Sequence, residues 1–139
     1  MRRFLNGTIA VLAIAYFAIA AQAAMGQDPG GSPEGKKLKN PVPANAASIA
    51  AGQATFQKYC RFCHGDDAKG DGKMAPKDTH PPNLTDTTWD RGSTDGEIFL
   101  VIQNGAGPKF DMKGYKGKMP DQDMWNVVNY LRSLGPKGK

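Results

Sequence analysis

The chain has 139 residues, of which 40% are apolar, 17 are glycine, 10 proline and 2 cysteine, with a formal net charge of +5. That length allows one small domain and excludes two, and two cysteines exclude a disulfide-dense scaffold. Seventeen of the apolar residues fall within the first 23, so what remains is lean in core-forming side chains and rich in Gly and Pro. Such a chain buries little surface by itself, and is expected either to be partly disordered or to fold around something that is not protein.

Met1-Arg2-Arg3 gives a positive start, Phe4 to Ala20 is uncharged and mostly apolar, and Ala21-Gln22-Ala23 is a small-x-small cleavage pattern. Residues 1–23 therefore read as a secretory signal peptide. The alternative is an uncleaved anchor, because Phe4 to Ala24 runs 21 residues without a charge, although Asn6, Gly7 and Thr8 weaken a span. Both readings export the chain, to the periplasm or to a membrane facing it. Beyond the signal the net charge falls to +3, with no dense Lys/Arg run of the kind that binds nucleic acid.

Residues 24–44 mix Gly, Pro and Lys with few large apolar side chains and read as a flexible linker. The folded domain is expected over 45–139. A first helix is predicted over Ser48–Tyr59, with Ser48 as N-cap and Ile49, Gly52 and Phe56 on one face. A second is predicted over Asp95–Gln103, opened by a Thr94/Glu97 capping box and stopped at Asn104-Gly105. Its apolar run Ile98–Ile102 would also suit a buried strand, but the cap and the glycine stop favour helix. A third covers Asp121–Leu134, with Met124, Val127, Val128, Leu131 and Leu134 on one stripe and Gly135-Pro136 ending it. Between Gly65 and Thr94 the sequence is rich in Gly, Pro, Asp and Thr, and predicts long loops that need something to wrap.

Cys60-Arg61-Phe62-Cys63-His64 is a C-x-x-C-H run, the attachment pattern for c-type haem. Two thiols three positions apart on a helical turn reach the two vinyl groups of one porphyrin, and the next residue presents an imidazole to the iron. Haem of this type is attached outside the cytoplasm, in agreement with the export signal. A redox dithiol would follow a strand in an α/β unit, whereas the preceding segment here reads as helix. A zinc site would need Cys60, Cys63, His64 and His80 together, and the adjacent Cys63 and His64 are badly placed to converge on one tetrahedral ion. For the far side of the iron the chain offers His80, Met74, Met112, Met119 and Met124. Met124 lies on the apolar stripe of the last helix, and Met74 follows His64 by a short path. Met112 and Met119 sit in the Lys/Gly-rich loop before that helix.

With these motifs the sequence resembles the class I c-type cytochromes over nearly the whole folded part. Gly52 and Phe56 ahead of the motif resemble that family's N-terminal helix, and Thr94 through Gly105 its middle helix. Trp125-Asn126-Val127-Val128-Asn129-Tyr130-Leu131-Arg132-Ser133-Leu134 resembles its last helix, whose Tyr130 would pack on the Gly52/Phe56 face. The resemblance implies an all-α small cytochrome c fold, three main helices and long loops around one covalent haem. It implies Cys60 and Cys63 as thioether sites and His64 as the proximal ligand. Pro82-Asn83-Leu84 resembles the loop whose proline carbonyl accepts the histidine Nδ1–H, which puts Pro82 and Leu84 against the cofactor. Met112-Lys113-Gly114-Tyr115 resembles the distal-ligand segment, with Met112 as ligand and Met119 as the alternative.

An iron closed on both sides would leave no open position for a substrate, so one-electron transfer rather than catalysis is expected. A shuttle between exported or membrane redox proteins is the first reading, and a fixed haem c subunit of a larger oxidoreductase the second. Lys109, Lys113, Lys116 and Lys118 would rim the site and steer an acidic redox partner. Trp89 and Trp125 read as core residues that could also wall the cofactor. A monomer is expected.

Overall fold

The computed structural model describes residues 31–107 and 111–135. The predicted signal segment and Lys109 lie outside the described residues. Among the described residues, five helices and one minimal ladder follow in chain order: α1 (Pro33–Lys37), α2 (Ala46–Tyr59), α3 (Arg61–His64), α4 (Asp95–Asn104), β1 (Gly105–Ala106), β2 (Met112–Lys113) and α5 (Asp121–Leu134).

Helix α2 begins two residues before the predicted start. Asn45 is its N-cap: the Ser48 N–H donates to Asn45 Oδ1 at 2.9 Å, and the Asn45 N–H donates back to Ser48 Oγ at 3.2 Å. Ala46 and Ala47 are strong helix formers, so the helix extends back to the first side chain able to cap it. Helix α4 carries the predicted Thr94/Glu97 capping box, and Gly105 at φ +87° ends it. Its apolar run is helical, with Ile98, Phe99 and Ile102 buried. Helix α5 covers the predicted span, with acidic Asp121 and Asp123 in its first turn and Arg132 in its last, as the helix dipole favours.

The α2/α5 pair is the spine of the fold. It closes where α2 has no side chain, since a Cβ on Gly52 would stand 1.9 Å from the Asn126 carbonyl oxygen and 2.9 Å from Tyr130 Cβ. Directly along the crossing Phe56 and Tyr130 meet with centroids 5.4 Å apart. On the other flank of α5, Trp125 stacks on Phe99 of α4 at 4.0 Å and 9°. Trp89 lies under the Arg132 guanidinium at 5.8 Å, and Arg132 in turn pairs with Asp95 at 2.7 Å.

Residues 31–44, part of the stretch read as linker from the sequence, are instead a packed strap. Helix α1 lies on α4, where Gly35 and Gly96 allow close approach: a Cβ on Gly96 would sit 2.2 Å from the Gly35 carbonyl oxygen. Glu97 secures one end, accepting from the Ser32 N–H at 3.2 Å while it also caps α4. Asn129 secures the other, accepting from Asn40 Nδ2 at 2.8 Å and donating to the Val42 carbonyl at 3.2 Å. Low hydrophobicity hid this segment, because it is held by polar anchors and glycine contacts rather than by a greasy face.

Candidate functional site

Helix α2 runs directly into the motif. The Cys60 N–H closes the last turn of α2 on the Phe56 carbonyl at 2.8 Å, and the Cys63 and His64 N–H groups both turn back to the Cys60 carbonyl, at 3.2 and 3.0 Å. Cys60 and Cys63 therefore stand one helical turn apart, and both are free thiols. Burial, with a contribution from Cys63, pushes the Cys60 thiol up to about 12, so it stays protonated at neutral pH. Cys63 Sγ points to the Met74 carbonyl at 3.4 Å.

His64 follows on the inner side of the turn, tilted against Phe56 at 6.5 Å between centroids. Burial lowers its pKa below the usual histidine value, which favours the neutral imidazole, the form with a lone pair to donate. Its Nδ1 is buried and has no hydrogen-bond partner. The hydrogen bond to the Pro82 carbonyl expected from the family resemblance is thus not made in this structure. Gly70 at φ +83° brings the backbone up beneath that segment, and a Cβ there would stand 2.1 Å from the Pro81 oxygen and 3.1 Å from the Pro82 oxygen. The same loop is nevertheless tied to the motif, by Gly70 N–H to the His64 carbonyl at 2.8 Å and Leu84 N–H to the Ala68 carbonyl at 2.8 Å. Leu84 packs against the core.

The possible distal ligands separate by burial. Met74 is 68% exposed and Met124 is fully buried in the α5 core. His80 is exposed. Met119 is buried in the core cluster, and Met112 lies half-buried against it. Met112 opens β2 and pairs with Ala106, while Gly105 faces Lys113. The segment behind it is fastened to the end of α4 by Tyr115 N–H to the Ile102 carbonyl at 3.0 Å and Lys116 N–H to the Gln103 carbonyl at 2.9 Å. Lys113, Lys116 and Lys118 are all exposed.

The donor set suits an iron porphyrin bound through two thioethers. It offers two free thiols on one turn, an imidazole with an orphaned inner nitrogen, and a half-buried thioether side chain from a neighbouring loop. Among the described residues no group of three or more His, Cys, Asp or Glu is arranged to hold a bare metal ion.

A family profile described as cytochrome c oxidase, cbb3-type, subunit III matches residues 47–131. The chain belongs to this family. Membership implies covalently bound haem c. The cbb3-type cytochrome c oxidase subunit CcoP of Rhodobacter capsulatus is 37% identical over 98 residues, covering 67% of this chain and 31% of the relative. The subunit FixP of a Bradyrhizobium species is 34% identical over 62% of this chain and 27% of its own length. The chain thus spans under a third of the curated relatives it matches. Among solved structures, the reducing HAO-like protein complex of Kuenenia stuttgartiensis aligns with TM-score 0.62 at 22% identity, covering 71% of this chain and 50% of that one. Cytochrome cL of Hyphomicrobium denitrificans aligns with TM-score 0.56 at 22% identity, covering 78% and 64%. The small cytochrome c fold expected from the sequence is the fold observed.

Two features of this cbb3-type cytochrome domain were not visible in its motifs. One is the polar anchoring of the strap by Glu97 and Asn129. The other is the reach of Tyr115, a residue of the distal-ligand motif, whose hydroxyl donates to the Tyr59 carbonyl at 3.1 Å across the site.

Proposed function

We propose that this domain is a one-electron carrier that works as a haem c module of a larger membrane oxidoreductase of the cbb3-oxidase kind. A single C-x-x-C-H run in a chain with 2 cysteines supports one haem, held by Cys60 and Cys63. The haem, when bound, supplies reversible one-electron exchange at its iron. The observation that carries the reading is the helical turn that sets two thiols beside a half-buried imidazole whose Nδ1 is buried and unpartnered. His64 is the proximal ligand and Met112 the distal one, with Met119 as the alternative; Pro82 and Leu84 line the cofactor. Two protein ligands leave no vacant position, so the domain passes electrons on rather than turning over a substrate. The family match favours a fixed subunit over the free shuttle, which uses the same site.

Exposed Lys113, Lys116 and Lys118, with Lys109 in the same segment, present positive charge beside Met112 and suit an acidic redox partner. Residues 1–23 serve export to the periplasm by a cleaved signal, or remain as an anchor in the membrane facing it. No helix among the described residues is long and apolar enough to cross a membrane. The domain itself is monomeric and binds no nucleic acid.

The test is spectroscopic. Haem that stays attached after denaturation, and is lost in Cys60→Ser/Cys63→Ser, establishes the attachment. Loss of the ferric Met–iron band in Met112→Ala but not in Met119→Ala establishes the distal ligand, and the reverse pattern overturns that assignment.

A further inference from the structure

The segment bearing Met112 is attached to the fold on two sides. On one side it is backbone: β2 pairs with β1, and the Tyr115 and Lys116 N–H groups bond to carbonyls at the end of α4. On the other side, among the described residues, a side-chain hydrogen bond ties it to the end of α2. Tyr115 crosses to the end of α2, where its hydroxyl donates to the Tyr59 carbonyl at 3.1 Å and its ring meets the Tyr59 ring edge-on at 5.9 Å. Tyr59 is the residue immediately before Cys60, so this contact joins the two halves of the site. The Tyr115 phenol is raised in pKa by burial first, and then by Cys60 and Cys63, which sets it beside both attachment positions.

We propose that Tyr115 is a positioning residue: its clasp on Tyr59 holds the Met112 segment closed over the haem-attachment turn and so restrains Met112 on the iron. The inference rests on the reading of Met112 as distal ligand. The clasp acts on an equilibrium between a closed segment, with sulfur on the iron, and an opened one that exposes the distal position. A competing ligand binds only the opened form, so its apparent affinity scales with the opened fraction. A partly exposed hydrogen bond of this kind is worth enough to change that fraction about three- to tenfold.

The experiment titrates the ferric holoprotein with imidazole and follows loss of the Met–iron band, at neutral pH and well below the unfolding temperature. Tyr115→Phe keeps the ring and removes the hydroxyl, and is expected to bind imidazole about three- to tenfold more tightly than the parent. Asn129→Ala loosens the fold far from this contact and is expected to leave the imidazole affinity unchanged. If Tyr115→Phe yields no holoprotein, Tyr59→Leu keeps the carbonyl acceptor but removes the edge-on ring contact from the other side, and is expected to tighten imidazole binding about three- to tenfold through that loss. A parent protein with the Met–iron band and a Tyr115→Phe variant of equal imidazole affinity overturns the clasp alone. Equal tightening in Tyr115→Phe and Asn129→Ala also overturns it, since the effect is then general loosening. A parent protein without the band overturns the ligand reading, and the clasp with it.

Discussion

Asn129 Nδ2 on α5 donates to Ser48 Oγ on α2 across 3.1 Å, and both side chains are buried. The same amide reaches the Val42 and Pro43 carbonyls, and its oxygen accepts from Asn40. One amide therefore satisfies a helix cap, two backbone carbonyls and a second amide. Removing it strips the Val42 carbonyl of its donor and the Asn40 amide of its acceptor, which costs more than the net value of the bonds. Asn129→Ala is expected to lower stability by about 2–3 kcal/mol and to open residues 31–44 to protease before the rest unfolds. Urea unfolding and limited proteolysis of the holoprotein check this.

Gly52→Ala places a methyl 1.9 Å from the Asn126 carbonyl oxygen, which belongs to backbone and cannot swing away. The α2/α5 pair must separate, and a loss of about 3 kcal/mol is expected. Gly117 has nothing within 4 Å of the same construction and only its φ of +73° against it, so Gly117→Ala costs about 1 kcal/mol. Chemical unfolding of the two variants separates steric conflict from backbone strain.

Glu97 gives the domain an acid limit. Burial alone would raise its pKa, but hydrogen bonds from the Thr94 backbone and hydroxyl, the charge of Lys36 and the Ser32 N–H together hold it below the usual value. A carboxyl whose folded pKa is depressed contributes stability that is complete above its unfolded pKa and disappears as pH falls through the lower folded value. Acid unfolding of the parent is expected to steepen there. Glu97→Gln is expected to be less stable at neutral pH and to lose less on acidification. Parallel acid limbs for the two proteins would contradict this role.

Charge reversal at the exposed lysines tests the proposed docking without touching the proposed haem ligands. Lys113→Glu, Lys116→Glu and Lys118→Glu together are expected to slow electron delivery to an acidic partner about tenfold or more at low salt. The difference is expected to shrink as ionic strength rises and screening shortens the reach of the charges. Stopped-flow rates over a salt series measure it.

Local signals carried most of this fold. The Thr94/Glu97 capping box, the stripe of α5 and the Gly105 stop act within one or two turns, and each is written in a few adjacent residues. The motif Cys60–His64 is likewise contiguous, so its chemistry was legible before any packing was known. The strap was not legible, because Ser32 meets Glu97 and Asn40 meets Asn129 across more than sixty residues of sequence. Such polar pairings leave no periodic trace. The cap of α2 was misplaced by three residues because Asn45 and Ser48 are both competent, and the alanines between them decided in favour of the earlier one. The Tyr115 hydroxyl escaped for the same reason as the strap: its acceptor is a backbone carbonyl, which every residue possesses.

The docked strap also relocates a hinge. If residues 31–44 swung freely, the domain would turn about a point just ahead of α2 and sweep its cofactor through a wide arc. Fixed at Ser32 and at Asn40, the strap moves with the domain as one body, so residues 32–40 do not serve as that hinge. A force applied to the chain at Ser32 is then handed directly to α4, the helix on which the strap rests.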